Sequence, residues 1–339
     1  MKRFWTCAVV IVIGLSLVRA QATSGPGKAV VKLDQALDAI ISTSAKLEPL
    51  VEDYFGFTEG PVWSPAGGYL LFSDIGANRV YKWAPKGGLS VFLERSGYAG
   101  TDLTEANVIN NGRLNVAIVG SNGLTIDREG RLILCTHGDR SLVRLEKDGT
   151  RTVLADRYEG KRLNGPNDVV MRKSDGALYF TDRGSGLRGG AKNPQRELAF
   201  ISIMRWKDGK LDVLDKDEGA NGLAFSPDEK YLYTASAGRI MRYDVRADGT
   251  IANPRVLIDT TTDKSAPGAP DGFKVDLKGN IFTGGPGGIW IVSPAGKLLG
   301  KILLPIGAAN LAFGDSDGKS LYMTCRASLF RIRLNAPAL

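Results

Sequence analysis

FTEGPVWSPAGGYLLFSD, residues 57–74, is the first copy of a pattern that recurs along the chain and decides its architecture. Each copy opens on an acidic or amide residue, usually followed by glycine. A short apolar run, a turn rich in Gly or Asp, and a second apolar run follow. The later copies are SNGLTIDREGRLILCTH from Ser121, GPNDVVMRKSDGALYFTD from Gly165, ANGLAFSPDEKYLYTAS from Ala220, APDGFKVDLKGNIFTGG from Ala269 and AANLAFGDSDGKSLYMTC from Ala308. Val, Ile, Leu, Phe and Tyr on both sides of such turns make each copy a pair of strands joined by a tight turn. In register, one column holds Glu59, Asn122, Asn167, Asn221, Asp271 and Asn310, spaced by roughly 40 to 60 residues, the period of a propeller blade.

Two more alternating runs follow most copies. NRVYKWAPKGGLSVFL (78–93) completes a four-stranded unit after the first, and comparable runs around Asp, Gly or Pro turns follow the next four. The sixth ends in SLFRIRL and lacks an outer pair. The expectation is one all-β domain, a six-bladed β-propeller over 51–339, with 23–50 as lead-in and ring-closing segment. Within that segment, Leu33 to Val51 offers a short helix and then a strand at Lys46–Glu52. That strand would join the first or last blade, because an open ring leaves a bare sheet edge. Two insertions interrupt the rhythm, 95–120 and 184–197, and long propeller loops gather on the face that carries binding and chemistry.

The first 22 residues read as a secretory signal peptide: Lys2 and Arg3, an uncharged apolar run from Trp5 to Val18, then Ala20 and Ala22. The run is shorter than the ~20 residues of a spanning helix, so cleavage rather than anchoring is expected, with no membrane span left afterwards. Export places the protein in the periplasm or outside the cell. The formal charge of +8 falls to +5 once Lys2, Arg3 and Arg19 are removed, 8 − 3 = 5, and what remains is dispersed. No basic stripe interleaved with aromatics appears, which argues against nucleic acid as a partner. Cys135 and Cys325 sit in apolar strand runs and read as buried free thiols, although an exported protein also permits a disulfide.

One repeat position in a propeller points to one level of the central channel, so the column should converge there. Two carboxylates and four amides make a poor packing core, since buried acids are costly unless paired or bound to a cation. Oxygen-only donors suit a hard divalent ion such as Ca²⁺ or Mg²⁺. Asn-Gly and Asp-Gly are also turn signals, so Asn122 and Asn310 have an equal claim to be capping residues at blade entrances. GGPGG at 284–288 lies between apparent strands with no helix after it, which does not suit a phosphate loop. No G-x-S-x-G elbow is present.

EGPVW, SNGL, LNGPNDVV, ADRYEGKR, ANGLAFSPDEKYLY and PDGFKVD together resemble the gluconolactonase/regucalcin family of six-bladed propeller lactonases, in its bacterial exported branch, from about Leu33 to Leu334. The resemblance implies a divalent metal held by Glu59, Asn167, Asn221 and Asp271, with Asp271 also transferring the proton. Ca²⁺ is the first expectation for the ion, with Mg²⁺, Zn²⁺ and Mn²⁺ as alternatives. It implies a metal-dependent lactonase, a hydrolase that opens a sugar lactone. Asn122, His137 and Asn167 would face the substrate, since CTHG at 135–138 looks like the family's Cys-x-His-Gly. His137, the chain's sole histidine, fits a structural hydrogen-bonding role as well as a substrate-orienting one. Where the family continues YFTD with Pro-Pro-Tyr-Gly, this chain has Arg183-Gly184-Ser185-Gly186. Arg183 is therefore a candidate contact to an anionic group of the substrate, which takes the substrate class away from gluconolactone itself. The alternatives are a non-catalytic propeller that binds a sugar acid or a protein around a structural metal, and an esterase of another substrate class.

Overall fold

The second strands of the blades explain why so much of this chain is apolar without helical periodicity. Tyr69–Asp74, Leu132–Thr136, Leu178–Asp182, Tyr231–Ser236, Ile281–Gly285 and Ser320–Cys325 are buried along nearly their whole length. Successive side chains on a strand point to opposite faces. Leu70 and Phe72 pack toward the last blade, against Tyr322 and Leu329, while Leu71 packs toward the second, against Leu132 and Leu134. Leu178 and Phe180 likewise face the second blade and Tyr179 the fourth. Each strand thus feeds two separate cores. In the computed structural model, which describes residues 28–216 and 219–339, those cores form between neighbouring blades all around a ring.

The ring is a six-bladed β-propeller. The inner strands are Thr58–Ser64, Ser121–Ile126, Pro166–Met171, Ala220–Phe225, Phe273–Val275 and Asn310–Gly314, in blade order. Each touches the inner strands on either side, and the last touches the first. Three further antiparallel strands extend each of the first four blades outward. Among the described residues helix is limited to short 3₁₀ turns, and none is long and apolar enough to cross a membrane. The leader assigned to residues 1–22 lies outside the described residues.

Closure uses two segments of the N-terminal stretch. Glu48–Val51 is the outermost strand of the sixth blade and pairs antiparallel with Ser328–Arg333. The sixth blade therefore lacks one outer strand of its own, not the pair expected from its length, because SLFRIR is itself the third strand. Val30–Lys32 adds a fifth strand to the fifth blade through pairing with Leu298–Leu303. Between them the short helix is a 3₁₀ turn, Gln35–Ala39, capped by Asp34, whose Oδ1 accepts from Ala36 N at 2.8 Å. Leu37 and Ile41 are fully buried in the core between the last two blades. Cys135 and Cys325 are free and buried in different interblade cores.

Candidate functional site

In the first four blades the column residues stand where the inner strand is locally irregular. Thr58 and Glu59 pair with Asp74 and Ser73, but Val62 pairs with Leu71. Pro166 opposes Asp182 and Val169 opposes Phe180; Ala220 opposes Ser236 and Leu223 opposes Thr234. The second blade slips in the same way between Ser121 and Leu124. Each slip is a β-bulge, which bends a strand and re-aims its side chains. The glycines after the column residues have a different cause. A Cβ on Gly60 would stand 2.0 Å from the Asn122 carbonyl oxygen, one on Gly222 2.0 Å from that of Asp271, and one on Gly272 2.0 Å from the Asn310 amide. Only glycine lets neighbouring inner strands approach that closely.

The result is two hydrogen-bonded strings of side chains. Asn122 Nδ2 donates to Asn167 Oδ1 at 3.1 Å, and Asn167 Nδ2 donates to Asn221 Oδ1 at 2.7 Å. Asn221 in turn hydrogen-bonds the Asp271 carboxylate. Across the channel Asn310 Nδ2 donates to Glu59 Oε2 at 3.1 Å and to Asp168 Oδ2 at 3.3 Å. Asn122 and Asn310 are thus channel residues inside strands rather than turn caps. Of the four expected metal-holding residues, Asn167, Asn221 and Asp271 lie in the first string and Glu59 in the second, and repulsion between Glu59 and Asp271 places the two strings near one another.

Burial makes the site electrostatically unusual. Glu59 is held well above the ordinary carboxylate range by desolvation, then by repulsion from Asp271 and Asp168. Asp271 is pushed up to about 7, chiefly by burial, against the pull of the Arg183 guanidinium. Asn122 Oδ1 is buried with no hydrogen-bond partner. Mutually repelling carboxylates and an unused amide oxygen at one level of a channel are what a hard cation would relieve. Among the described residues no three His, Cys, Asp or Glu side chains group as a metal cluster. The donors that could hold such an ion are instead a mixture of carboxylate and amide oxygen, from Glu59, Asp271, Asn167 and Asn221.

His137 and Arg183 stand at the rim. His137 is 2% exposed, with Nε2 3.4 Å from Asn122 Nδ2. Burial, and after it the Arg183 charge, drive its pKa down to about 4, so the imidazole is neutral at pH 7. Arg183 Nη1 donates to the carbonyls of Gly219, at 3.0 Å, and Ala220, which holds the guanidinium beside Asp271. The two insertions meet above this rim. Asn107 Nδ2 donates to Ser185 O at 2.9 Å, and Ala106 and Leu187 form a lone β-bridge.

Two residues outside the repeat column complete the site. Asp168, in the place where most copies have glycine, is buried and raised above its usual range by desolvation, with Lys274 pulling the other way. Lys274, lowered by burial, lies near Asp168 and Glu59 and donates to Phe273 O at 2.9 Å. A charge at that strand position, where the other copies carry Val, Thr, Ala or Phe, was the available signal.

The profile of the SMP-30/gluconolactonase/LRE-like region matches residues 57–327, four-fifths of the chain. The chain belongs to this family. It is 34% identical over 316 residues to a gluconolactonase of Zymomonas mobilis, covering 90% of this chain and 85% of the relative. It is similar to the solved gluconolactonase of Xanthomonas campestris, with a TM-score of 0.74 and 31% identity over 90% of this chain and 94% of that one. A calcium-binding regucalcin of Agrobacterium tumefaciens, 19% identical over 86% of this chain and 95% of its own, shares the fold at a TM-score of 0.65.

Proposed function

We propose that this protein is an exported, divalent-metal-dependent lactonase that hydrolyses a sugar lactone. The observation that carries the reading is that Glu59, Asn167, Asn221 and Asp271, all at one repeat position, gather at the channel, with the Glu59 and Asp271 carboxylates near enough to repel. Membership of the SMP-30/gluconolactonase family, and the gluconolactonases among its relatives, support the substrate class. A hard divalent cation bound by these oxygens, Ca²⁺ being the ion that suits them best, supplies Lewis acidity toward the lactone carbonyl.

The rest of the work falls to the chain's own side chains. Asp271, a carboxylate once a cation offsets its burial, accepts a proton from the attacking water. Water oxygen bonds to the carbonyl carbon, the ring C–O bond breaks, and the proton ends on the departing ring oxygen, giving a hydroxy acid. Asn167 and Asn221 orient the site through their mutual hydrogen bond. Neutral His137 and the amide of Asn122 offer polar contacts to the sugar hydroxyls, and Arg183 presents positive charge to an anionic substituent. The insertions limit water at the rim.

Export is proposed from the Lys2-Arg3 start, the apolar run and the Ala20 and Ala22 ending. The protein recovered from the periplasm or medium should begin between residues 20 and 23; an intact Met1 would make the segment an anchor. The test of function is a panel of sugar lactones assayed with chelator-stripped and metal-reloaded protein. Turnover that is lost on stripping and restored by Ca²⁺ or another divalent ion is expected. No turnover of any lactone or ester by the loaded protein would make the propeller a binding module instead.

A further inference from the structure

Beneath the two insertions lies a cavity of about 290 Å³, at the small end of the range for small-molecule sites. None of the six column residues lines it, but His137 does. His137 and Arg140 form its buried side, each 2% exposed, and each keeps a donor atom without a partner: Nδ1 of the imidazole and Nη2 of the guanidinium. The rest of Arg140 is anchored on backbone, with Nε donating to Leu163 O at 2.7 Å and Nη1 to Gln195 O at 3.0 Å. Arg162 also lines the cavity, and its Nη2 donates to Asp139 O at 3.3 Å.

Among the described residues neither arginine forms an ion pair. The neighbouring Glu197 and Asp156 stand against Arg157 instead, and both oxygens of Asp182 accept backbone N–H groups of Asn164 and Gly165. Burial and the neighbouring Arg162 charge disfavour the Arg140 guanidinium, against the pull of Asp182 and Glu197, and a bound anion would relieve it. The rigid fork of arginine suits the two oxygens of a carboxylate, phosphate or sulfonate. The cavity's other charged groups, Asp102, Glu105 and Asp139, lie on its more exposed side. Asp102 accepts from the backbone and hydroxyl of Thr104, Glu105 from Asn193 Nδ2 and Asp139 from Ala99 N, and each retains lone pairs that can receive hydroxyl groups.

The geometry points to a second binding site, for a small hydroxylated oxyanion such as a sugar acid, in the cavity under the insertions. Its charged end meets Arg140, Arg162 and His137 Nδ1, and its hydroxyls meet the carboxylates. The site itself does not depend on the lactonase reading. Only the origin of the ligand does: a terminal oxyanion carried by the lactone substrate, or a free oxyanion such as the hydrolysis product.

The experiment is equilibrium dialysis of the full-length, Ca²⁺-loaded protein against radiolabelled sulfate, the simplest oxyanion probe, for the native chain and for Arg162→Gln and Arg140→Lys. Arg162 is only half-buried, so its variant folds even where a change at Arg140 does not, and thermal unfolding verifies this. Saturable binding of one sulfate by the native chain, weakened at least about tenfold in Arg162→Gln, is expected. The second arm compares kcat/KM on a neutral aldonolactone and on a lactone bearing a terminal carboxylate. Selective loss of about tenfold on the carboxylated lactone in Arg162→Gln assigns the site to the substrate. Equal rates on both, with sulfate binding lost, assign it to a free oxyanion. No sulfate binding by the native chain, with neither lactone affected by Arg162→Gln, overturns the proposal, whether or not the protein proves to be a lactonase.

Discussion

Asp271 and Glu59 carry the same functional group at the same repeat position, and the proposed mechanism gives them different duties. Asp271→Asn keeps an oxygen donor of similar shape but removes the proton acceptor and one negative charge. Metal affinity should fall, and turnover should stay about 10² to 10⁴-fold low even at saturating metal. Glu59→Gln should also weaken the metal, yet saturating metal should restore much of the rate. A metal titration of lactone hydrolysis by both variants decides this; full rescue of Asp271→Asn would remove the proton-transfer role. His137 permits a second residue-scale prediction, because no other histidine shares its signal. Its pKa drops from 6.5 to about 4 on folding, so between these values the unfolded chain holds a proton that the native chain refuses. Stability is therefore lost as pH falls from about 6.5 to 4, by roughly 3 kcal/mol attributable to this group. A bound cation pushes in the same direction. Denaturant unfolding at pH 7 and pH 4 should show a smaller drop for His137→Gln than for the native chain, and an imidazole NMR titration midpoint near 6.5 would refute the cause.

At the scale of elements, the inner strands owe their close approach to glycine. Gly222 has no left-handed backbone to preserve, so Gly222→Ala tests crowding alone: its methyl would collide with the Asp271 carbonyl of the next blade. We expect a loss of about 3 kcal/mol or more in urea unfolding, together with weaker metal binding as Asp271 shifts. Gly307→Ala, in open space, should change stability by less than about 0.5 kcal/mol. Similar costs for both would show that the strands can part without penalty. The Asn-Gly and Asp-Gly pairs were legible in the sequence as a repeated position, but as turn signals they were ambiguous. What separates a turn from a bulge is whether a partner strand continues alongside, and here Tyr231–Ser236 and its counterparts do.

At the scale of the molecule, the ring is fastened by a strand from one end of the chain pairing with the other end. Glu48 Oε2 accepts from Arg331 Nη2 at 2.6 Å across that junction, and Leu37 and Ile41 plug the core beside it. Deleting residues 1–51 should expose the edge of Ser328–Arg333 and uncover those apolar contacts. Burying two such side chains contributes about 2 to 3 kcal/mol each, so Tm should fall by more than about 10 °C and association through the bare edge should follow. Circular dichroism melting and light scattering measure both. An unchanged Tm would mean that the interblade cores hold the ring closed without the fastening strands.

The repeat period, the alternating apolar runs and the column of Glu, Asp and Asn are local regularities, and they were sufficient to specify a six-bladed propeller and to name the residues around its axis. The strand at Lys46–Glu52 was likewise readable, since a ring one strand short needs a partner from elsewhere. Tertiary structure alone decided the rest. Asp168 and Lys274 join the site because the inner strands converge, and Val30–Lys32 enters the fifth blade because that blade's outer edge is within reach. Arg140 makes no direct ion pair because Asp182 accepts backbone N–H groups and Glu197 is taken up by Arg157 and the Arg162 N–H. Periodicity reports which face of a strand is buried; which charges share that burial depends on distances between residues far apart in the chain, and these exist only once the ring has closed.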